Sequence, residues 1–132
     1  MRPGNSDART LLLERISRAV DAWVAGKGFL KVLPTVPEIA ADIGVEPDHL
    51  SRFIRIQADQ SVLGWRKCLR IDEAKKLLRD YPSVPVSSVA AMVGIGDKAN
   101  FKRQFTEMVR MSPLEWRRQG EKQRPFSART RS

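Results

Sequence analysis

The sequence predicts an all-α protein in which one helical unit is built twice. Three observations carry this. Apolar residues recur at spacings of three and four along most of the 132 residues, and no run alternates with period two. Glycines, prolines and capping residues break the apolar stripes at intervals suited to helices. Finally, Ile39-Ala40-Ala41-Asp42-Ile43-Gly44-Val45 aligns with Val89-Ala90-Ala91-Met92-Val93-Gly94-Ile95 at an offset of 50.

A first helix is predicted over Asp7–Ala25, with Ser6 as N-cap, Gly26 as stop, and Leu12, Leu13, Ile16, Val20, Trp23 and Val24 as its apolar stripe. Gly28–Pro34 reads as a connector. Thr35 and Glu38 fit a capping box, which opens a second helix that stops at Gly44. Pro37 falls in its first turn, where a missing N–H costs little. Pro47 opens a third helix with Leu50, Phe53 and Ile54 inward. Ser61 caps a long fourth, carrying Leu63, Trp65, Leu69, Ile71, Ala74, Leu77 and Leu78 and ending before Pro82. Val86–Val93 and Ala99–Val109 are the next two helices. Pro113 opens a last short one through Trp116, and disorder is expected from about Gln119.

The repeat resumes beyond its glycines at an offset of 51, where Leu50, Arg52 and Ile54 meet Phe101, Arg103 and Phe105. Ser61, Trp65 and Arg66 then meet Ser112, Trp116 and Arg117. Each copy is a short helix, a tight turn, a second helix with inward anchors, and a third helix with a Trp-Arg pair. The alanine (Ala40, Ala90) permits a close helix crossing. The glycine (Gly44, Gly94) can adopt the positive φ that a sharp turn requires.

Composition narrows the chemistry. The net charge is +9, from 24 basic and 15 acidic residues, and a 42% apolar content suffices for a core. Residues 1–50 carry a net −1 and residues 51–132 a net +10, so the excess lies in the second half. Such charge favours an anionic partner. A lone cysteine, Cys68, excludes an internal disulfide, and one histidine with one cysteine excludes the usual zinc-finger ligand sets. His49 is the only histidine available to a catalytic triad, and it has no nucleophile beside it. No apolar run approaches membrane-spanning length, no secretory signal is visible, and no phosphate-loop, paired-carboxylate or metal motif is present. No enzyme activity and no cofactor are expected.

The second helix of each copy should present its polar face outward. In copy one that face offers Asp48, His49, Ser51, Arg52 and Arg55; in copy two it offers Lys98, Asn100, Lys102, Arg103 and Thr106. Arg and Asn pair bidentately with guanine and adenine edges in a major groove. Arg117 heads the basic C-terminal stretch and joins these as a candidate contact, the stretch itself reading either as a solubilising end or as a phosphate-contacting arm. One such turn alone would fit a plain helical bundle equally well; two copies in a basic chain favour DNA.

From Thr35 to Arg118 the residues resemble the DNA-binding domain of the AraC/XylS transcription regulators. The resemblance is carried by Ile39-Ala40-x-x-Ile43-Gly44-Val45, Leu50-Ser51-Arg52, and Trp65 with Leu69-Arg70-Ile71-x-x-Ala74-x-x-Leu77-Leu78. The second half adds Val89-Ala90-x-x-Val93-Gly94-Ile95-x-Asp97, Asn100-Phe101-x-Arg103-Gln104-Phe105 and Ser112-Pro113-x-x-Trp116-Arg117. It implies two homeodomain-like helix-turn-helix subdomains, at 35–60 and 81–118, joined by a linker helix at 61–80. Residues 1–34 would form an N-terminal helix and connector, and 119–132 a basic tail. Carried over by position, Asp48, Ser51 and Arg52 would face bases in one major groove. Lys98, Asn100, Lys102 and Arg103 would face them in the next, about 34 Å away. The chain departs from the family where glycine usually precedes the third helix of each copy, with Asp59 and Arg110 there instead. It also has Gly96 and Ile95 where a serine and an aromatic are usual.

These readings imply a bacterial, cytoplasmic, double-stranded-DNA-binding transcription regulator, an activator in its most frequent form, with RNA polymerase as a possible partner. It would act as a monomer, or as a dimer through a further domain. Either the chain is a stand-alone regulator or it is the C-terminal end of a longer one. The alternative from another class is a helical protein–protein adaptor with a basic surface.

Overall fold

The computed structural model describes residues 3–123. The described residues form seven α-helices and one 3-10 turn, and no strand occurs among them. The helices are α1 (Pro3–Ala25), α2 (Val36–Ile43), α3 (Pro47–Ala58), α4 (Val62–Asp80), α5 (Val86–Met92), α6 (Lys98–Val109) and α7 (Pro113–Gln123). They form two compact units, and the chain passes from one to the other between Lys67 and Cys68, inside α4.

In the first unit α1 supplies Ile16, Val20 and Trp23 to a core that also holds Phe29, Ile39, Ala40, Leu50, Ile54 and Val62. The helix is already formed at Pro3, so Ser6 lies within it rather than capping it; proline suits a first helical turn, where no N–H is needed. Leu13 is exposed, as is Leu11, which corrects the expected stripe. Three consecutive leucines span roughly 200° of helix circumference and cannot all face one side. The connector is not irregular throughout: Gly28–Leu30 makes a 3-10 turn that buries Phe29 edge-on against Trp23, with ring centroids 6.4 Å apart. Trp23 also stacks on Trp65 at 5.6 Å and donates its indole N–H to Asp42 at 2.8 Å, tying α1 to α2.

The capping box is present as expected. Thr35 Oγ1 accepts from the Glu38 N–H, and the Glu38 carboxylate accepts from the Thr35 N–H at 3.2 Å. At the α2–α3 turn Gly44 has φ 95°, and the Val45 N–H reaches back to the Ala40 carbonyl at 3.0 Å.

The second unit repeats this construction. Gly94 has φ 81°, and the Ile95 N–H donates to the Ala90 carbonyl at 2.9 Å. Val89, Ala90, Val93, Phe101 and Phe105 are fully buried beside Ile71, Ala74 and Leu78. Phe101 and Phe105 lie one turn apart on α6 with rings 5.7 Å apart, so one face of α6 is anchored and the other is free. Burial of each ring stabilises by about 1.5–3 kcal/mol. Leu63, expected on the apolar stripe of α4, is exposed.

The last helix differs from expectation. Residues 119–123 continue α7 instead of beginning a disordered tail. Gly120 is the reason: it is buried, and the Arg79 side chain lies 2.8 Å from where a Cβ would stand. Residues 124–132, which hold the rest of the expected tail, lie outside the described residues.

Candidate nucleic-acid interface

Each unit presents one helix whose inner face is pinned by the core and whose outer face is polar. In the first unit this is α3. Leu50 and Ile54 are buried, whereas Asp48, Ser51, Arg52 and Arg55 are exposed along its outer side. Arg55 faces Asp59 at 3.6 Å, an exposed i,i+4 pair worth roughly 0.3–0.5 kcal/mol and easily exchanged for a phosphate. His49 stands apart: it is half-buried and lines a groove toward α1.

In the second unit the helix is α6. Asp97 caps it by accepting from the Ala99 N–H at 3.1 Å, which fixes where its first turn starts. Lys98, Lys102 and Arg103 are exposed and Asn100 is half-buried. The Arg103 guanidinium donates to Asn100 Oδ1, so the two side chains are held together one turn apart. The amide oxygen keeps a second lone pair, so Asn100 can pair with an adenine edge while it still holds Arg103. The Thr106 hydroxyl donates to the Lys102 carbonyl at 2.7 Å, an internal helix contact that occupies its proton.

Arg117 requires a correction. It is buried, 9% exposed, and not available to a phosphate. Its guanidinium donates to the carbonyls of Leu78 at 2.9 Å, Val84 at 2.7 Å and Tyr81 at 3.3 Å. It thus clamps the end of α4 and the segment leading into α5. The repeat explains this. Its counterpart Arg66 donates to the Leu33 carbonyl, in the connector leading into α2. Burial lowers the Arg66 pKa, yet a guanidinium stays charged. In both copies the arginine after the tryptophan fastens the chain that enters the first helix of the turn. The tryptophans are structural in the same way: the Trp116 N–H donates to the Lys75 carbonyl at 3.0 Å, with the Arg79 guanidinium 3.5 Å above its ring.

The sequence places the neighbouring Arg118 in the basic C-terminal stretch without singling it out as a contact. It is exposed, and with Lys98, Lys102 and Ser112 it lines a groove of about 370 Å³ floored by Val86, Pro113 and Leu114. Only its helical position distinguishes it from Arg117, and that position depends on α7 continuing past Trp116.

Two carboxylates outside the polar faces are perturbed. The Trp23 indole N–H and then Lys31 hold the Asp42 carboxyl below its ordinary value. Hydrogen bonds from Ser112 do the same for Glu115 at the start of α7. Both serve structure. Among the described residues no group of three or more His, Cys, Asp or Glu could hold a metal ion, and no helix is long and apolar enough to cross a membrane.

Comparison with known proteins bears on the same segment. A family model described as a helix-turn-helix domain matches residues 39–119. The arabinose operon regulatory protein of Salmonella typhimurium is 35% identical over 82 residues, 62% of this chain and 29% of that protein. The chain thus spans less than a third of that relative's length. The C-terminal domain of AraT, a response regulator from Geobacillus stearothermophilus, superposes with a TM-score of 0.66 at 26% identity, covering 80% of this chain and 84% of that one. The DNA-binding domain of AdpA, a global transcriptional factor solved with a target DNA, shares the fold. Its TM-score is 0.68 at 20% identity, over 84% of this chain and 96% of that one.

Proposed function

The chain belongs to the AraC-type helix-turn-helix family, and from that premise we propose that it is a sequence-specific double-stranded-DNA-binding transcription regulator. The observation that carries the reading is the duplication. The same turn, built on Ala40–Gly44 and on Ala90–Gly94, delivers two helices whose outer faces hold Arg, Asn, Lys and Ser. Each unit gives its own helix to a major groove. Arg52 and Ser51 read bases from α3, and Arg103 and Asn100 read them from α6. Arg55, Lys98, Lys102 and Arg118 neutralise phosphates. Asp48 adds selectivity at the start of α3, since a carboxylate can accept from cytosine but repels phosphate.

In this reading the chain acts in the bacterial cytoplasm as an activator that engages RNA polymerase. The two readers in one chain let it occupy an asymmetric site as a monomer.

Selection of bound duplexes from random DNA by the 132-residue chain should return two short motifs. Six to eight phosphate contacts give a log–log salt slope of about −5 to −7. Specific sites should be favoured over random DNA by about 10³-fold or more. A slope near zero, or no discrimination, would overturn the reading and leave a helical protein–protein adaptor.

A further inference from the structure

The outer face of α3 is polar with one exception. Asp48, Ser51, Arg52 and Arg55 are exposed on it, and so is Ile56, with 73% of its surface in solvent. At 3.6 residues per turn Ile56 stands one turn beyond Arg52, about 40° around the helix axis and about 6 Å along it. It points away from the core that holds Leu50 and Ile54.

The scaffold does not require an apolar side chain there. The matching position of the second copy, at the offset of 51, is Glu107 on α6, also exposed and one turn beyond Arg103. The same turn and the same helix thus carry a carboxylate at this place in one unit and an isoleucine in the other. A β-branched residue is also a poorer helix former than Arg, Gln, Lys or Glu. Ile56 therefore contributes little to its own unit, by burial or by helix propensity.

Its place among the reading groups gives it a partner. A helix laid in a major groove puts residues at spacings of about three, four and seven against successive base edges. Counted from Asp48, the residues Ser51, Arg52 and Arg55 fall at those spacings, and Ile56 follows directly. The apolar feature of a major groove is the thymine C5-methyl; the other groups there are hydrogen-bond donors and acceptors, which a hydrocarbon side chain cannot satisfy. Against a cytosine amino group or a guanine carbonyl, Ile56 would strip water from a polar edge and return no bond. Against the methyl it removes apolar surface from water on both sides.

We propose that Ile56 is a specificity-determining residue that reads a thymine methyl in the α3 half-site, within about two base-pair steps of the base met by Arg52. The proposal rests on α3 entering a major groove, and it goes beyond that reading by assigning a base to a side chain that makes no hydrogen bond.

The test uses the 132-residue chain and the duplex returned by selection. The α3 half-site is the one at which Arg52→Ala relaxes the selected sequence. Each of its thymines is replaced in turn by deoxyuridine, which removes the C5-methyl and leaves every hydrogen-bonding group. At one position wild-type affinity should fall about fourfold, the worth of one buried methyl group. Ile56→Ala, altered only at an exposed position, should keep a folded amide spectrum and bind the thymine duplex about fourfold more weakly than wild type. It should bind the thymine and deoxyuridine duplexes equally, to within about 1.5-fold. A half-site without thymine would overturn the assignment. So would the lack of any deoxyuridine position that costs the wild-type chain more than about twofold, or a deoxyuridine effect that survives undiminished in Ile56→Ala. Unchanged DNA affinity of Ile56→Ala would overturn it too, and would leave Ile56 to a protein partner. Each of these results can occur while the wild-type chain keeps its steep salt dependence and its discrimination; loss of those two is instead the failure of the DNA reading itself.

Discussion

Replacing Arg117 with alanine removes one guanidinium from three carbonyls, those of Leu78, Tyr81 and Val84, at 2.9, 3.3 and 2.7 Å. A hydrogen bond to a charged group contributes about 1.5–3 kcal/mol. The Leu78 bond is buried, and the 3.3 Å contact is long. Water can reach some of the freed carbonyls, since Tyr81 itself is exposed, so the three contributions do not add in full. The expected loss is about 2–4 kcal/mol, confined to the second unit. Native-state hydrogen exchange at Phe101 and Phe105 reads it directly, because their amides lie in α6 and report opening of that unit alone. Arg118→Ala is the control. It should leave exchange unchanged to within about 0.5 kcal/mol and make the DNA salt slope less negative by about one. If Arg117→Ala instead preserved exchange protection and itself reduced the salt slope by one, Arg117 would be a phosphate contact and the clamp would be wrong.

Four further outcomes follow from the same geometry. Arg110 ends α6 at φ 69°, where an L-residue is strained by roughly 1–2 kcal/mol, so Arg110→Gly should stabilise the second unit by about 0.5–1 kcal/mol in urea unfolding. Conversely, Gly44→Ala should cost about 1 kcal/mol through φ alone, because nothing lies within 4 Å of an added Cβ. Arg103→Ala should lose more DNA affinity than Arg52→Ala in titrations at fixed salt: Lys98 and Lys102 surround Arg103, whereas Glu46 and Asp48 precede Arg52. Asp42 is held below its ordinary pKa by Trp23 and Lys31, so its stabilisation is present at neutral pH and lost as pH falls below about 4. Acid titration followed by the Trp23 indole resonance should show this, and Asp42→Asn should flatten that part of the curve.

The sequence by itself determined most of the fold. Helix starts were legible wherever the capping chemistry is local, as at Thr35–Glu38, Ser61 and Pro113, because a cap is decided by residues three or four apart. The two turns were legible because only glycine readily takes φ 95° or 81° in the places the repeat put it. The exposed character of Arg52, Lys102 and Arg103 followed from helical period alone.

Tertiary structure decided what period cannot. Arg117 and Arg118 are adjacent and equally basic, yet one is buried against three carbonyls and the other lines a basic groove. Which one turns inward depends on where α4 ends relative to α7, a relation between residues about forty apart. Leu13 and Leu63 look like core residues in a list of apolar spacings, and both face solvent because no neighbouring helix covers them. The continuation of α7 through residue 123 was hidden for the same reason: Gly120, a helix breaker in isolation, is the one residue that fits beneath Arg79. Local free energies of capping and turning are written in neighbouring residues, whereas burial is a property of the partner surface, which exists only once the chain has folded.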